Sequence, residues 1–229
     1  MAMVANDLAN VSTTGYKPVR VGFRDLMYQQ GGRPAAYVNA ARTGTGSASA
    51  VVGRSSVQGA LQPTDSNLDV AIQGEGFLQV RLPDGRQALT RDGSLQLDGL
   101  GRLMSSTGAL VQPPVTVPRG VSSDEIRIDP DGQVSAAGRR LGRLELVTVP
   151  ARQALESIGD NAFVATAASG APVRAPQATT LASSALEASG VDMSEAMVSM
   201  IDAQRSYQLT SKAIQTADQM MEIANGIRR

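Results

Sequence analysis

The sequence predicts an α+β protein with a mostly-β central domain, sandwich- or barrel-like, and with N- and C-terminal α-helices that form a coiled-coil-like terminal domain. Three observations support this fold class. A seven-residue apolar repeat fills residues 191–227, short alternating apolar runs separated by Asp-Gly dipeptides fill residues 61–150, and the first ten residues carry apolar side chains at helical spacing. The predicted domains are a truncated N-terminal helix with its signature segment (1–17), an extended Gly/Ser/Ala-rich linking segment (18–60), the central β-domain (61–180), and the C-terminal return with its long helix (181–229).

The N-terminal helix is short. Val4, Leu8 and Val11 lie four and three residues apart, which gives the helix one apolar face. β-branched residues and a glycine end the helix within residues 11–15. About two turns remain, too few to be stable alone, so we expect the natural helix to begin upstream of Met1.

The linking segment has little regular pattern. Gly, Ser, Ala and Thr dominate residues 31–50, and composition alone favours a flexible linker. Residues 21–28 could form a short element.

The β-domain is predicted from its turns and its alternation. Leu78, Val80 and Leu82 share one strand face, and residues 144–149 form a further strand candidate. Several short strands without a helical period are typical of a compact sandwich or barrel. Hairpin turns are predicted at Asp84-Gly85, Asp92-Gly93, Asp98-Gly99 and Asp131-Gly132.

The C-terminal helix carries the clearest pattern in the chain. Asp192 is placed to cap its start, with Glu195 three residues later. Large and small side chains then alternate along one seam with the spacing of a helix that packs along another helix. At about 1.5 Å per residue, such a helix spans on the order of 55 Å and projects beyond a small domain. The seam consists of Met193, Ala196, Met200, Ala203, Tyr207, Thr210, Ile214, Ala217, Met221 and Ala224.

Composition excludes several kinds of chemistry. The chain of 229 residues has 21 basic and 21 acidic residues, with no histidine and no cysteine. Disulfides, thiolate nucleophiles, Cys/His zinc sites and histidine bases are therefore excluded, and no basic stripe indicates nucleic acid. We expect no enzyme activity, no cofactor and no metal. Because the sequence lacks both a long apolar run and a basic, apolar leader, we also expect no membrane insertion and no cleavable signal peptide.

Eight segments share a resemblance to one protein family: Ala5–Lys17, Gly59–Thr64, Leu68–Val80, Thr90–Gly93, Asn161–Gly170, Leu186–Asp192, Met200–Tyr207 and Ile214–Met220. Together they resemble the bacterial flagellar rod and hook proteins. The amino-acid sequence of the last helix, together with an ordered extended segment expected at 18–60, favours the distal rod branch of the family. Residue 190 is Gly where the family usually has Asn, and both residues tolerate positive φ.

The resemblance implies a structural subunit of the distal rod, in the periplasmic part of the flagellar basal body. Copies of the chain would form a helical tubular shaft that transmits torque from motor to hook. Expected partners are the chain itself, other rod proteins, the hook protein, the surrounding ring proteins and the flagellar export apparatus. Two alternatives stay open: a proximal rod or hook subunit, and a soluble β-domain binding module with a coiled-coil dimerisation tail.

The candidate assembly interface follows from the apolar faces of the two terminal helices. Its predicted residues are Val4, Leu8, Val11, Met193, Met200, Tyr207, Ile214 and Met221.

Overall fold

The computed structural model describes residues 2–25 and 47–227, and within them it contains two α-helices, two 3-10 turns and 18 strands. The α+β prediction is thereby confirmed, while the coiled-coil-like terminal domain and the sandwich- or barrel-like shape stay predictions. The helices are α1 (Ala2–Ala9) and α2 (Met193–Ile227), and the 3-10 turns are Ser123–Glu125 and Arg152–Ala154. The strands are β1 (Val19–Asp25), β2 (Ser47–Arg54), β3 (Leu61–Pro63), β4 (Val70–Gln73), β5 (Phe77–Arg81), β6 (Gln87–Thr90), β7 (Leu95–Leu97), β8 (Leu103–Ser105), β9 (Leu110–Val111), β10 (Ile126–Ile128), β11 (Gln133–Ala136), β12 (Arg139–Arg143), β13 (Leu146–Thr148), β14 (Glu156–Gly159), β15 (Ala162–Val164), β16 (Val173–Arg174), β17 (Thr180–Ser183) and β18 (Ala185–Glu187).

The linking segment contains an antiparallel strand pair. β1 and β2 pair along their lengths, with a register shift between Arg20 and Val21. The short element predicted at 21–28 coincides with β1 up to Asp25. The rest of that prediction, the centre of the linking segment (26–46), Met1 and the last two residues lie outside the described residues.

The central strands form one large sheet with smaller sheets around it. The large sheet runs in the order β14-β15-β6-β5-β9-β8-β7, and β13 joins it at β5 and carries β16. β10, β11 and β12 form a meander, and the remaining pairs are β4 with β17 and β3 with β18. β17 begins at Thr180 and β18 lies wholly beyond residue 180, and both pair inside this body. The predicted domain boundary at 180 stays a prediction.

The main hydrophobic core lies where these sheets face one another. Ile72 on β4, Leu78 on β5, Val111 on β9 and Val134 on β11 are fully buried in it. Each such side chain contributes about 1.5–3 kcal/mol by leaving water. Of the α2 side chains that the structure describes, Ala196 is the buried one, so the long helix stands outside this core.

Three of the four predicted hairpin turns are confirmed. Gly85 and Gly132 take positive φ of 87° and 86° in their turns, as tight hairpins require. The prediction at Asp92-Gly93 is wrong, because β6 pairs with β5 and β15 whereas β7 pairs with β8. A Cβ on Gly93 would lie 1.6 Å from the Val70 carbonyl oxygen, so this glycine permits a close approach of β4 rather than a turn.

The predicted C-terminal helix is confirmed in extent and in its cap. α2 has 35 residues, which gives a length of about 52 Å. The Asp192 carboxylate accepts hydrogen bonds from the backbone N–H groups of Ser194 (2.8 Å) and Glu195 (3.1 Å). These bonds satisfy donors that a free helix start leaves unpaired. α1 packs against α2.

Candidate assembly surface and the junction beneath it

Both ends of the chain meet at one junction on the β-domain. The segment Thr13–Lys17, which follows α1, lies between the loop after β6 and the return strand β18. The Gly15 N–H donates to the Glu187 carbonyl at 2.7 Å, and the Gly190 N–H donates to the Tyr16 carbonyl at 2.9 Å. Gly15 has a φ of 65° and leaves no room for a Cβ, which would lie 2.8 Å from a backbone oxygen. The junction therefore joins the base of α1 to the lead into α2.

A buried ion cluster lies at the centre of this junction. The Glu187 carboxylate is fully buried and pairs with the Lys17 ammonium and, at 2.9 Å, with the Arg91 guanidinium. Glu187 also accepts the Gly59 N–H at 2.8 Å, and Lys17 donates to the Val57 carbonyl at 2.6 Å. Two cations thus share one carboxylate inside the protein.

The pKa of Lys17 reflects its burial beside a second cation and a single carboxylate. Burial lowers the pKa of the Lys17 ammonium below its ordinary value of 10.5, and the positive charge of Arg91 lowers it further. The Glu187 carboxylate raises the pKa of Lys17 through its hydrogen bond and its negative charge, and it thereby stabilises the buried ammonium. Glu187 is therefore the group on which both cations depend.

Asp92 fastens the N-terminal segment from the other side. Its buried carboxylate accepts the Thr14 hydroxyl at 2.9 Å, the Ser106 hydroxyl at 2.8 Å and the Ser94 N–H at 3.1 Å. The dipeptide misread as a hairpin turn is thus part of the docking site for the segment after α1.

α1 is held through Tyr16. The Tyr16 hydroxyl donates to the Asp7 carboxylate at 2.7 Å. Burial of the hydroxyl is the larger cause and this hydrogen bond the second cause that raise the pKa of Tyr16 from 10.0 to about 12. The Arg54 guanidinium lies 5.6 Å from the Tyr16 ring centre and 5.5 Å from that of Phe163. Its Nη1 donates to the Lys17 carbonyl at 2.9 Å, so β2 is tied to the same junction.

Above the junction, α2 presents its apolar side chains to solvent. Met200 is half-buried, whereas Tyr207 is 70% exposed, Ile214 58% and Met221 66%. Large apolar side chains concentrated on the exposed surface of one helix indicate an interaction site. The other large exposed apolar residues on the helix are Met193, Met197, Val198, Ile201, Leu209, Met220 and Ile223.

The predicted interface residues divide into two groups by position. Val4 and Leu8 on α1, and Val11 just after it, are half-buried at the base of the helix pair. The five on α2 follow the seam from base to tip, and four of them are exposed. Their role in assembly stays a prediction.

Sequence reasoning did not find the junction. Lys17, Arg91 and Glu187 all lie in segments that carry the family resemblance, but no role was assigned to them. A charged residue between apolar neighbours, as in Ala185-Leu186-Glu187, was the available signal. Nothing in the local sequence showed that the three would meet.

Two further kinds of site were sought in the part of the chain that the structure describes, a metal site and a membrane-spanning helix. No group of three or more acidic, histidine or cysteine residues there could hold a metal ion. Among the described helices, none has both the length and the apolarity to cross a membrane.

Comparisons with known proteins give a consistent family. A family model described as the flagellar hook protein FlgE/F/G D1 domain matches residues 71–136, and one described as the flagellar basal body rod FlgEFG protein C-terminal matches residues 182–227. The flagellar basal-body rod protein FlgG of Buchnera aphidicola (subsp. Acyrthosiphon pisum) is 38% identical over 97% of this chain and 91% of its own length. FlgG of Borreliella burgdorferi is 39% identical and that of Caulobacter vibrioides 36%, each over 99% of this chain and 92% of its own length.

The protein is a β-domain whose long terminal helix, with large apolar side chains exposed, begins at a junction of buried ion pairs and hydrogen bonds. The resemblance seen in the sequence is confirmed by the comparisons. The chain belongs to the FlgG family of flagellar basal-body rod proteins.

Proposed function

We propose that this chain is a structural subunit of the distal rod and assembles with copies of itself into a helical tubular shaft that transmits torque from the motor to the hook. The observation that carries the proposal is the apolar surface of α2, which is exposed along most of a 35-residue helix. A heterologous contact that repeats without closing generates a helical assembly. The full-length similarity to proteins named flagellar basal-body rod protein FlgG supports the same conclusion.

The proposed interface is the seam of α2 together with the apolar face of α1. Its large residues, such as Met200 and Ile214, alternate with alanines, and this spacing lets two helices approach closely in a coiled-coil-like terminal domain. Burying each large side chain on assembly contributes about 1.5–3 kcal/mol. Because every subunit repeats the seam, these contributions recur along the whole shaft.

The proposed route for torque within a subunit is the junction. If the terminal helices form the assembly interface, force must pass within each subunit between these helices and the β-domain. The ion cluster of Lys17, Arg91 and Glu187 and the hydrogen bonds to Asp92 link α1, the base of α2 and the β-domain by directional contacts. Such contacts resist rotation of one body against another better than apolar packing alone, which has no preferred direction.

Further partners belong to the proposal through the family alone. They are other rod proteins and the hook protein at the ends of the shaft, the surrounding ring proteins, and the flagellar export apparatus. The proposed site of action is the periplasmic part of the basal body. The proposed action is mechanical and not enzymatic.

The experiment replaces Ile214 by Asp and follows polymerisation by light scattering and electron microscopy. We expect Ile214→Asp to abolish polymerisation, because the seam would bury a carboxylate. Thermal unfolding of the monomer should not change, since Ile214 faces water there. Gln215→Asp is the matched control, because it introduces the same charge at the next position, which is also exposed but lies off the seam.

Two outcomes would contradict the proposal. If Ile214→Asp polymerises like the unaltered chain, the seam is not the interface. If the unaltered chain forms a stable dimer that never extends, the dimerisation-tail alternative is correct instead.

A further inference from the structure

Methionine is concentrated on the helix that carries the proposed interface. α2 holds five of the nine methionines of the chain. Four of these five are exposed, with fractions of 47% (Met193), 48% (Met197), 65% (Met220) and 66% (Met221). The fifth, Met200, is half-buried.

Three of these methionines occupy large positions of the seam. Met193, Met200 and Met221 share the seven-residue spacing with Tyr207 and Ile214, so thioethers supply three of the five large side chains of the seam. A thioether packs much like leucine but, unlike leucine, it can be oxidised.

We propose that Met193, Met200 and Met221 form an oxidation site that controls assembly, an inference that rests on the proposed function. The oxidant is hydrogen peroxide. The thioether sulfur attacks one peroxide oxygen and the O–O bond breaks, giving methionine sulfoxide and one molecule of water. The sulfur loses two electrons and the peroxide gains them.

The small seam positions next to the three methionines are Ala196, Ala203, Ala217 and Ala224, and none of these side chains can donate a hydrogen bond to the new oxygen. Among the large seam residues, Tyr207 is the one that carries a hydroxyl. A sulfoxide is a strong hydrogen-bond acceptor, and burying it without a donor is unfavourable. The small residues that face the large ones are alanines except for Thr210. The Thr210 hydroxyl already donates to the Ser206 carbonyl at 2.8 Å. Oxidised side chains would therefore oppose formation of the seam.

The free monomer tolerates the same change. Because the side chains of Met193 and Met221 face water there, their sulfoxide oxygens stay hydrated and the β-domain core is untouched. The chain contains no cysteine, so peroxide finds no thiol to react with first. Enzymatic reduction of the sulfoxides restores the thioethers and makes the change reversible.

The test treats the full-length monomer with hydrogen peroxide, maps the sulfoxides by peptide mass spectrometry, and measures the rate of polymerisation. We expect the four exposed α2 methionines to be oxidised well before Met104 of β8, which is half-buried between neighbouring strands. We expect the rate to fall about tenfold or more, and methionine sulfoxide reductase to restore it.

Two leucine variants locate the effect. The triple variant Met193→Leu, Met200→Leu, Met221→Leu keeps the side-chain volume nearly constant and should polymerise normally after peroxide treatment. The double variant Met197→Leu, Met220→Leu removes the exposed methionines beside the seam and should stay sensitive.

The outcomes separate this inference from the proposed function. If oxidised wild-type chain polymerises as fast as the untreated chain, the inference fails and the proposed function stands. If the triple leucine variant loses polymerisation on treatment as fully as wild type, the site is misplaced and the inference also fails. If the untreated chain does not polymerise at all, both are overturned.

Discussion

Among the residues of the junction, we expect the replacement of Glu187 to lower the free energy of unfolding most. Glu187→Gln keeps the shape of the side chain and removes its charge. Lys17 and Arg91, whose side chains are 5% and 4% exposed, would then face a neutral amide inside the protein. Leaving buried charges without their partner costs about 3–5 kcal/mol. Against a total stability of about 5–15 kcal/mol, such a loss is large.

Removing a single cation should cost less. In Lys17→Met, Glu187 keeps its contact with Arg91 and its hydrogen bond from the Gly59 N–H. The lost ammonium was itself disfavoured by burial, as its lowered pKa indicates. We expect a loss of about 1–2 kcal/mol. The order, Glu187→Gln worse than Lys17→Met, follows from two cations sharing one carboxylate.

The assay is urea unfolding of the monomer followed by circular dichroism, with the free energy of unfolding and the m-value fitted for each variant. Glu145→Gln is the matched control, because the Glu145 side chain is exposed and should change stability by less than about 0.5 kcal/mol. If Glu187→Gln lies within about 1 kcal/mol of the unaltered chain, or if Lys17→Met costs more than Glu187→Gln, the reasoning about the ion cluster is refuted.

Three further predictions test other parts of the structure. Gly93→Ala should destabilise the monomer by about 2 kcal/mol or more in urea unfolding, because its Cβ would overlap a carbonyl oxygen of β4. Gly99→Ala is the control and should leave the stability nearly unchanged, since no atom lies within 4 Å of the added Cβ. Equal losses of stability in the two variants would show that the close approach at Gly93 is not real. The pKa of Tyr16 is about 12 in the folded protein against 10.0 when unfolded, so the unfolded chain releases this proton first and the free energy of unfolding should fall as the pH rises from 10 to 12. Tyr16→Phe should lack that part of the fall, and parallel curves for the two proteins would contradict the assignment. The fragment 61–187 retains β17 and β18 and should unfold cooperatively on heating. The fragment 61–180 lacks the strands that pair with β4 and β3, so it should not unfold cooperatively. Identical melting curves of the two fragments would show that these pairings are dispensable.

The features that could be predicted from the sequence are those whose signals are local. The extent of α2 follows from its uninterrupted periodicity, and its start follows from one carboxylate two and three residues before the groups that it caps. The hairpins at Gly85 and Gly132 follow from the conformational freedom of glycine next to aspartate. Each of these features depends on residues within about one turn of helix or one hairpin, so a single stretch of sequence specifies it.

The proposed interface could be predicted from the sequence for the same reason, since the seam is a periodic pattern on one helix. What the structure added is the exposed fraction of each side chain, for example 58% for Ile214 and 9% for Ala196. Periodicity says which residues share a face, but it does not say whether that face already has a partner in the chain.

Tertiary structure alone decided the features that join distant parts of the chain. Lys17, Arg91 and Glu187 form one cluster across 170 residues of sequence, and no local pattern encodes their meeting. Asp92-Gly93 has the composition of a hairpin turn, yet the pairing of β6 with β5 and β15 and the docking of Thr14 on Asp92 override it. The physical reason is that strand pairing and burial are satisfied by whichever partners the whole fold brings together, so their outcome depends on all the competing pairings and not on the dipeptide itself.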